Sequence, residues 1–412
     1  MPTPKLGIVA DDLTGAMDSS GYFAQRGLST EVLLDPEYSS AADVVVVTTS
    51  SRAEPPETAR VRVLEAVRRL SGRMVYKKID STLRGNIGVE VLAAMEASGA
   101  PKTIVAPAFP AVGRTTVGGV LLVNGKPVSQ TQFANDPVSP VAESHIPTLI
   151  ERTTGHEVGL VTIPQIEAGA ETLHRHISGA KEDILVCDIA EQGHLRTIVE
   201  ANALAGGRWL LVGSGGMARE LYLLMGKSKK NDLEETRRPS GPALVVIGSR
   251  NQVVADQIGA AQRQLGLPLL RLEACHFSED GQPSKGVDEL VAQARTLLEG
   301  GRSLAVTSTF SRYVPGLKHI IPATLADAAV AILRSCGPVG LFLSGGDIAV
   351  AVCRKMSVSA ISVRGEVEAG IPAGETVGGP FSGIRVVTKA GGFGTENALV
   401  KSLKYLEEGY LT

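Results

Sequence analysis

Short, mostly apolar runs recur along this chain, and stretches of helical period separate them. In the first half the runs lie at residues 5–10, 30–34, 43–49, 74–79, 103–107, 158–163, 183–188 and 209–213. In the second half they lie at 243–248, 268–272, 303–307, 340–343, 360–363 and 384–388. A strand with one face in water would alternate apolar and polar residues, whereas these runs are apolar and β-branched on both faces, as strands covered on both sides must be. Residues 56–70 show the intervening pattern: Ala59, Val63, Ala66 and Leu70 recur at three- and four-residue spacing, while Arg60, Arg62, Glu65 and Arg69 fall elsewhere on the surface. The alternation predicts βαβ units and mostly parallel sheets, an α/β fold. Glycine is abundant, 46 of 412 residues, which suits many tight strand-to-helix turns. Aromatic residues make up only 4% and offer little for stacking bases.

The pattern breaks once. Residues 227–241, KSKKNDLEETRRPSG, carry eight charges, no large apolar face and a closing Pro-Ser-Gly. Interleaved acids and bases of this kind read as a solvated linker rather than a basic patch. Two α/β lobes follow, residues 1–226 and 242–412, with the active site expected in the cleft between them. Lys plus Arg is 41 and Asp plus Glu is 43, giving a formal net charge of -2. That balance supplies no field to attract nucleic acid or a membrane surface. The four cysteines, Cys187, Cys275, Cys336 and Cys353, form no CxxC pair, so no zinc cluster or disulfide framework is predicted. Free thiols, an N-terminus without a signal-peptide pattern and the lack of a long apolar run predict a cytoplasmic protein.

In open α/β sheets, ligands bind beyond the carboxyl ends of the strands. The first strand runs into Asp11-Asp12-Leu13-Thr14-Gly15-Ala16, where two carboxylates end a buried strand and small residues leave room beside them. Adjacent like charges oppose each other's ionisation unless donors or cations lie near, which suits a general base or a carboxylate facing Mg²⁺. The plainer reading is a helix N-cap by Asp12 or Thr14, although capping needs only one such residue. Arg52 follows the third strand. The next strand ends in Lys77-Lys78-Ile79-Asp80-Ser81-Thr82-Leu83-Arg84-Gly85-Asn86. Arginine matches carboxylate or phosphate bidentately and hydroxyls match polyol oxygens, so this density points to a small, anionic, hydroxylated ligand. Capping of the next helix by Thr82, with Arg84 on the surface, accounts for neither Lys78 nor Asp80.

The second half has three glycine-rich strand ends: Val246-Ile247-Gly248-Ser249-Arg250-Asn251, Ser344-Gly345-Gly346-Asp347, and Lys389-Ala390-Gly391-Gly392-Phe393-Gly394. Glycine lets backbone approach a ligand, and N–H groups at a helix start favour phosphate. Lys389 is placed to offset phosphate charge, and Asp347 to hold Mg²⁺ or orient a nucleophile. No P-loop, no GxGxxG after a strand, no protein-kinase set and no GxSxG elbow occurs. The seven histidines form no metal-ligand pattern, and Trp209 and Met217 read as core.

Taken together, ADDLTGA, SSR, KKIDSTLRGN, PAFPAVGRTT, VGSGGMA, GSRNQ, SGGD, GEVEAGIP and TKAGGFG resemble the four-carbon acid sugar kinase family, which includes threonate and 3-oxo-tetronate kinases. The motifs occur in the expected order across nearly the whole chain, and ADDLTGA with KxDSTxRG is specific. The resemblance implies an ATP-dependent kinase acting, with Mg²⁺, on the terminal hydroxyl of a four-carbon sugar acid. It implies an N-terminal domain that holds the acid and a C-terminal domain that holds ATP. Carried across by motif, Asp12, Arg52 and the run Asp80, Ser81, Thr82, Leu83 and Arg84 would contact the acid, flanked by Asp11 and Lys78. Ser249, Gly345, Gly346, Asp347, Gly391 and Gly392 would contact ATP, with Glu366 of GEVEAGIP near the nucleotide or its metal. Ser344 stands where Thr is expected, and the hydroxyl is kept. Residues 133–145 fall where members are expected to vary, which bears on substrate identity. Asp12 and Asp347 compete for the role of base. A non-catalytic sensor of sugar acid or nucleotide is the alternative, but three glycine-rich phosphate loops are more than a sugar-acid sensor needs. The sequence does not fix the oligomeric state, and a homo-oligomer is compatible with it.

Overall fold

In a computed structural model of the chain, the described residues are 5–136, 138–225, 241–248, 251–273, 285–308, 320–337 and 339–409. Ser249 and all of the expected linker 227–241 except Gly241 lie outside them. The chain forms two compact units. The first comprises residues 1–28 and 41–231, the second residues 29–40 and 232–412.

The strands in chain order begin with β1 (Leu6–Ala10), β2 (Thr30–Leu33), β3 (Val44–Thr48), β4 (Met74–Lys78) and β5 (Thr103–Ala106). There follow β6 (Arg114–Val117), β7 (Val120–Val123), β8 (Lys126–Pro127), β9 (Val158–Val161), β10 (Ile184–Cys187) and β11 (Leu210–Gly213). In the first unit, β3, β1, β4, β11, β5, β10 and β9 lie side by side in that order and are parallel throughout. β6, β7 and β8 form a small antiparallel sheet. β1, β5, β10 and β11 are buried end to end. Helices α1 (Leu13–Ala24), α2 (Pro56–Arg69) and α3 (Ile87–Ser98) follow β1, β3 and β4. α2 buries Ala59, Val63 and Ala66, with Leu70 at its end, as the spacing predicts, and Val67 besides.

Register fixes where chemistry can gather. Ala10 pairs with Thr48 and Lys78, and Gly213 with Lys78 and Ala106. Five strands therefore end flush, and the segments that leave them share one edge.

The second unit contains β12 (Ala243–Ile247), β13 (Leu269–Arg271), β14 (Leu304–Thr307), β15 (Gly340–Ser344), β16 (Ala360–Glu368), β17 (Ile371–Val377) and β18 (Arg385–Lys389). The order β13-β14-β12-β15-β18 is parallel, and β17, β16 and β2 then continue antiparallel. On one face, Val245, Ile247, Ala305, Phe342 and Val387 pack with Leu399, Leu403 and Leu406 in a single core cluster. Two features depart from the sequence expectation. Residues 30–34 read as one more strand of the first half, yet β2 pairs with β16 and clusters with the second unit. The run 360–363 extends into a long hairpin with β17. A run apolar on both faces fits parallel or antiparallel neighbours equally, so local pattern does not choose the partner.

Candidate active site

The flush edge of the first unit carries a layer of alternating charges. Asp12 caps α1, its Oδ1 accepting from the Gly15 amide at 2.7 Å. The plain capping reading is therefore correct, and the same carboxylate does more. Arg52 donates through Nε and Nη2 to the two oxygens of Asp11, at 2.8 and 3.0 Å. Its Nη1 donates to Asp12 Oδ2 at 2.6 Å. Asp80 Oδ1 lies 3.8 Å from Arg52 Nη2 and accepts from Arg84 Nη2 at 3.0 Å. Arg84 Nε donates to Asp80 Oδ2 at 3.0 Å, and its Nη1 reaches Asp136 at 3.4 Å. Thr82 gives both its hydroxyl and its amide to Asp80 Oδ2. It therefore orients Asp80 rather than capping the next helix, whose N-cap Asn86 binds the carbonyls of Ser51 and Glu54 instead. Ser81 is half-buried beside it.

Both loops are held in uncommon backbone states. Ser50 has φ 47° and Leu83 φ 62°, the left-handed region that costs a non-glycine residue energy. Each immediately precedes or nearly precedes a site arginine. Ser51 is buried, and its Oγ donates to Glu90 Oε1 at 2.6 Å. Glu90 also pairs with Lys77 at 2.7 Å. The Ser51 amide reaches the Asp11 carbonyl at 2.9 Å. Gly15 leaves the room this group occupies: a Cβ there would lie 2.7 Å from Asp12 Oδ1 and 2.9 Å from Lys78 Nζ.

This layer separates the proton affinities of its carboxylates. Burial alone would raise Asp11, but Arg52, with Lys77 and Lys78 behind it, holds it below the usual carboxylate value. Asp80 goes the same way against its burial, through Arg52 and Arg84. Asp12 goes the other way. Burial and the charge of Asp11 raise it despite Arg52. The two adjacent aspartates thus differ in proton affinity, that of Asp12 being the higher.

Sequence reasoning missed Glu90 and gave little weight to Arg114. An acid on the apolar helix α3 reads as a surface residue, and its one local signal is its place on the helix's buried face. Arg114, from PAFPAVGRTT, interacts electrostatically with Asp80 and Arg84, and its buried Nε has no hydrogen-bond partner among the described residues.

In the second unit, Ile247 pairs with Thr307 and Ser344, and Ser344 with Lys389, so these strand ends also lie flush. Gly345, with φ 106°, caps the helix Gly346–Lys355, and Asp347 is exposed in its first turn. Ser344 Oγ is buried and has no hydrogen-bond partner among the described residues. Gly391 and Gly392 belong to the neighbouring loop, and a Cβ on Gly392 would come 3.6 Å from Asn251 Nδ2. Glu366 is buried on β16 and accepts from the Gly370 amide at 3.4 Å. Lys389, expected to offset phosphate charge, is bound within its own loop in this structure. Its Nζ donates to the carbonyls of Ala390, Gly391 and Phe393 at 2.8, 3.1 and 3.0 Å. All three donors staple its own loop, and burial lowers its pKa to about 8. Among the described residues no group of three or more His, Cys, Asp or Glu is arranged to hold a metal.

The family model of a sugar-binding N-terminal domain matches residues 6–221, and that of a nucleotide-binding C-terminal domain matches residues 244–399. The chain is 33% identical over 430 residues to a D-threonate kinase of Salmonella typhimurium, covering 98% of this chain and 99% of that protein. The chain belongs to the four-carbon acid sugar kinase family. Another family member, a D-erythronate kinase of Heliobacterium modesticaldum, is 32% identical over 435 residues, covering 97% of this chain and 96% of that protein. A crystal structure from Salmonella typhimurium LT2 has the same fold at a TM-score of 0.82 and 20% identity, covering 98% of this chain and 99% of that one. The domain order of this acid sugar kinase family matches the two lobes expected from sequence. The motifs ADDLTGA and KxDSTxRG lie in its sugar-binding domain, and the three glycine-rich ends in its nucleotide-binding domain.

Proposed function

We propose that this protein is an ATP-dependent kinase that phosphorylates the terminal hydroxyl of a four-carbon acid sugar: a threonate, an erythronate or a 3-oxo-tetronate. The observation that carries the reading is the intact charge layer Asp11–Arg52–Asp12 and Asp80–Arg84 in a domain matched as sugar-binding. Asp12 accepts the proton of the attacking hydroxyl. The freed oxygen bonds to the γ-phosphorus of ATP as the bond to the bridging oxygen breaks, giving a phosphate ester, ADP and a proton. Arg52 is committed to Asp11 and Asp12, so it sets the position of the base. Arg84, with Arg114, takes the substrate carboxylate in place of the long contact to Asp136.

In the nucleotide-binding domain, Gly345, Gly346, Gly391 and Gly392 bring backbone close to the phosphates. Mg²⁺, carried by the phosphates, would need only one or two protein carboxylates. Asp347 is the exposed carboxylate in that first helical turn. Bound there, the ion would neutralise charge on the transferring phosphoryl group. Free Cys187, Cys336 and Cys353 fit a reducing cytoplasm. Among the described residues no helix is long and apolar enough to cross a membrane.

The test is ADP release with Mg²⁺ against both threonates, both erythronates and the 3-oxo-tetronates, with three- and five-carbon acids as controls. ADP formation that depends on one four-carbon acid is the expected result. ATP binding without acid-dependent ADP release from any of them would favour the sensor reading.

A further inference from the structure

Asp18 lies on α1 one turn beyond Gly15 and belongs to none of the interactions described above. Its side chain is buried, and among the described residues its Oδ1 has no hydrogen-bond partner. Folding does not by itself favour such a group, because a buried carboxylate without donors has lost water and gained nothing in exchange. Its proton affinity is raised, by burial first and by the charge of Asp12, against the pull of Lys78 and Arg219.

The two cations facing Asp18 are also underused. Lys78 Nζ donates to the Ile79 carbonyl at 3.1 Å, which leaves hydrogens unspent. Arg219 lies over the rings of Tyr22 and Phe109, at 4.6 and 5.0 Å from their centroids, and its buried Nε has no partner among the described residues. The VGSGGMA segment closes against this group. A Cβ on Gly215 would lie 3.1 Å from Asp18 Oδ2 and 2.8 Å from Phe109. Lys78 links the group to the base, since the same ammonium lies beside Gly15 and faces both Asp12 and Asp18. The Asp12 site therefore continues along one face of α1, as an acceptor flanked by two cations with donors to spare.

Such a set matches an anionic polyol: a hydroxyl can give its hydrogen to the carboxylate while its neighbours accept from lysine and arginine. A metal cation would gain little beside two resident cations. We infer that Asp18 is a substrate-binding residue, its unpartnered oxygen accepting a hydroxyl of the acid sugar while Lys78 and Arg219 donate to the same molecule. The inference rests on the kinase reading.

The test compares Asp18→Asn and Asp18→Ala with the wild-type full chain, by thermal unfolding without ligand and by steady-state kinetics. The ligand-free melting temperature holds or rises, because a buried charge without hydrogen bonds has been removed. KM for the acid sugar rises about tenfold or more, the effect of removing a charged acceptor from a hydroxyl, and KM for ATP stays within about twofold. A structural carboxylate would behave in the opposite way. A fall in the melting temperature of both variants, or an unchanged KM for the acid, overturns the assignment while leaving the kinase reading intact. Wild-type protein that neither turns over nor is thermally stabilised by any acid of the panel overturns both.

Discussion

Lys77 and Glu90 form an ion pair 2.7 Å long whose side chains are 0% and 2% exposed. Glu90 also holds Ser51, and the next residue is the arginine that binds Asp11 and Asp12. The pair connects the interior of this domain to the arginine that positions Asp12, the proposed base. Lys77 also donates to the Lys78 carbonyl at 2.9 Å, so the end of β4 is held from the same point.

Removing one partner leaves the other charged and dry. Glu90→Ala should cost about 3–5 kcal/mol of stability, whereas the double variant Lys77→Met with Glu90→Leu should recover most of it. Denaturant unfolding of the three proteins measures this. A loss below about 1 kcal/mol for Glu90→Ala would mean that water reaches Lys77 in solution.

Gly15→Ala separates folding from function. Alanine is the better helix former by about 1 kcal/mol, so the fold should persist with a near-native melting temperature. Its Cβ would displace Asp12 or Lys78, which lie 2.7 and 2.9 Å from that point. Turnover should therefore fall at least about tenfold, since small misplacements at a reacting centre are costly. Wild-type turnover in a well-folded Gly15→Ala protein would remove Asp12 from the proposed role.

Much of the candidate edge is legible in the sequence because each participant sits within a few residues of a strand end: Asp11 and Asp12 after β1, Asp80 and Arg84 after β4. The rule that ligands gather there then assembles them without knowledge of contacts. Glu90 and Asp18 are illegible for the converse reason. Each lies inside a helix, where an acid reads as solvated until packing shows which face is covered. Lys389 shows a third case. Residue type and strand-end position suggest a phosphate ligand, but three carbonyls of its own loop claim its hydrogens. The location of β2 is lost for a topological reason, since its partner β16 lies some three hundred residues further along the chain.

The pH dependence of kcat/KM should report Asp12. A base must be ionised to accept a proton, and burial with the charge of Asp11 raises its pKa. The acid limb should therefore lie above the ordinary aspartate value of 3.8. Asp12→Asn keeps a helix-capping side chain and should lower kcat by about 10²–10⁴ with ATP binding retained. A wild-type profile that is flat down to pH 4, measured on protein shown to be folded there, would refute the assignment.

Lys389 makes the opposite kind of prediction, one about stability alone. Its pKa falls from 10.5 to about 8 in the folded chain because burial disfavours the ammonium. Between those values the unfolded chain holds a proton that the folded chain has released. Stability at this site therefore rises with pH across that window, at a slope of up to about 1.4 kcal/mol per pH unit. Below pH 8 both states are protonated and the dependence vanishes; above 10.5 both are neutral. Lys389→Met removes the titrating group, so the stability difference between wild type and variant should move in favour of the wild type from pH 8 to 10.5 and be flat below. Denaturant unfolding at matched ionic strength measures that difference. A difference that moves the other way would mean that the three loop carbonyls hold the ammonium more strongly than burial opposes it.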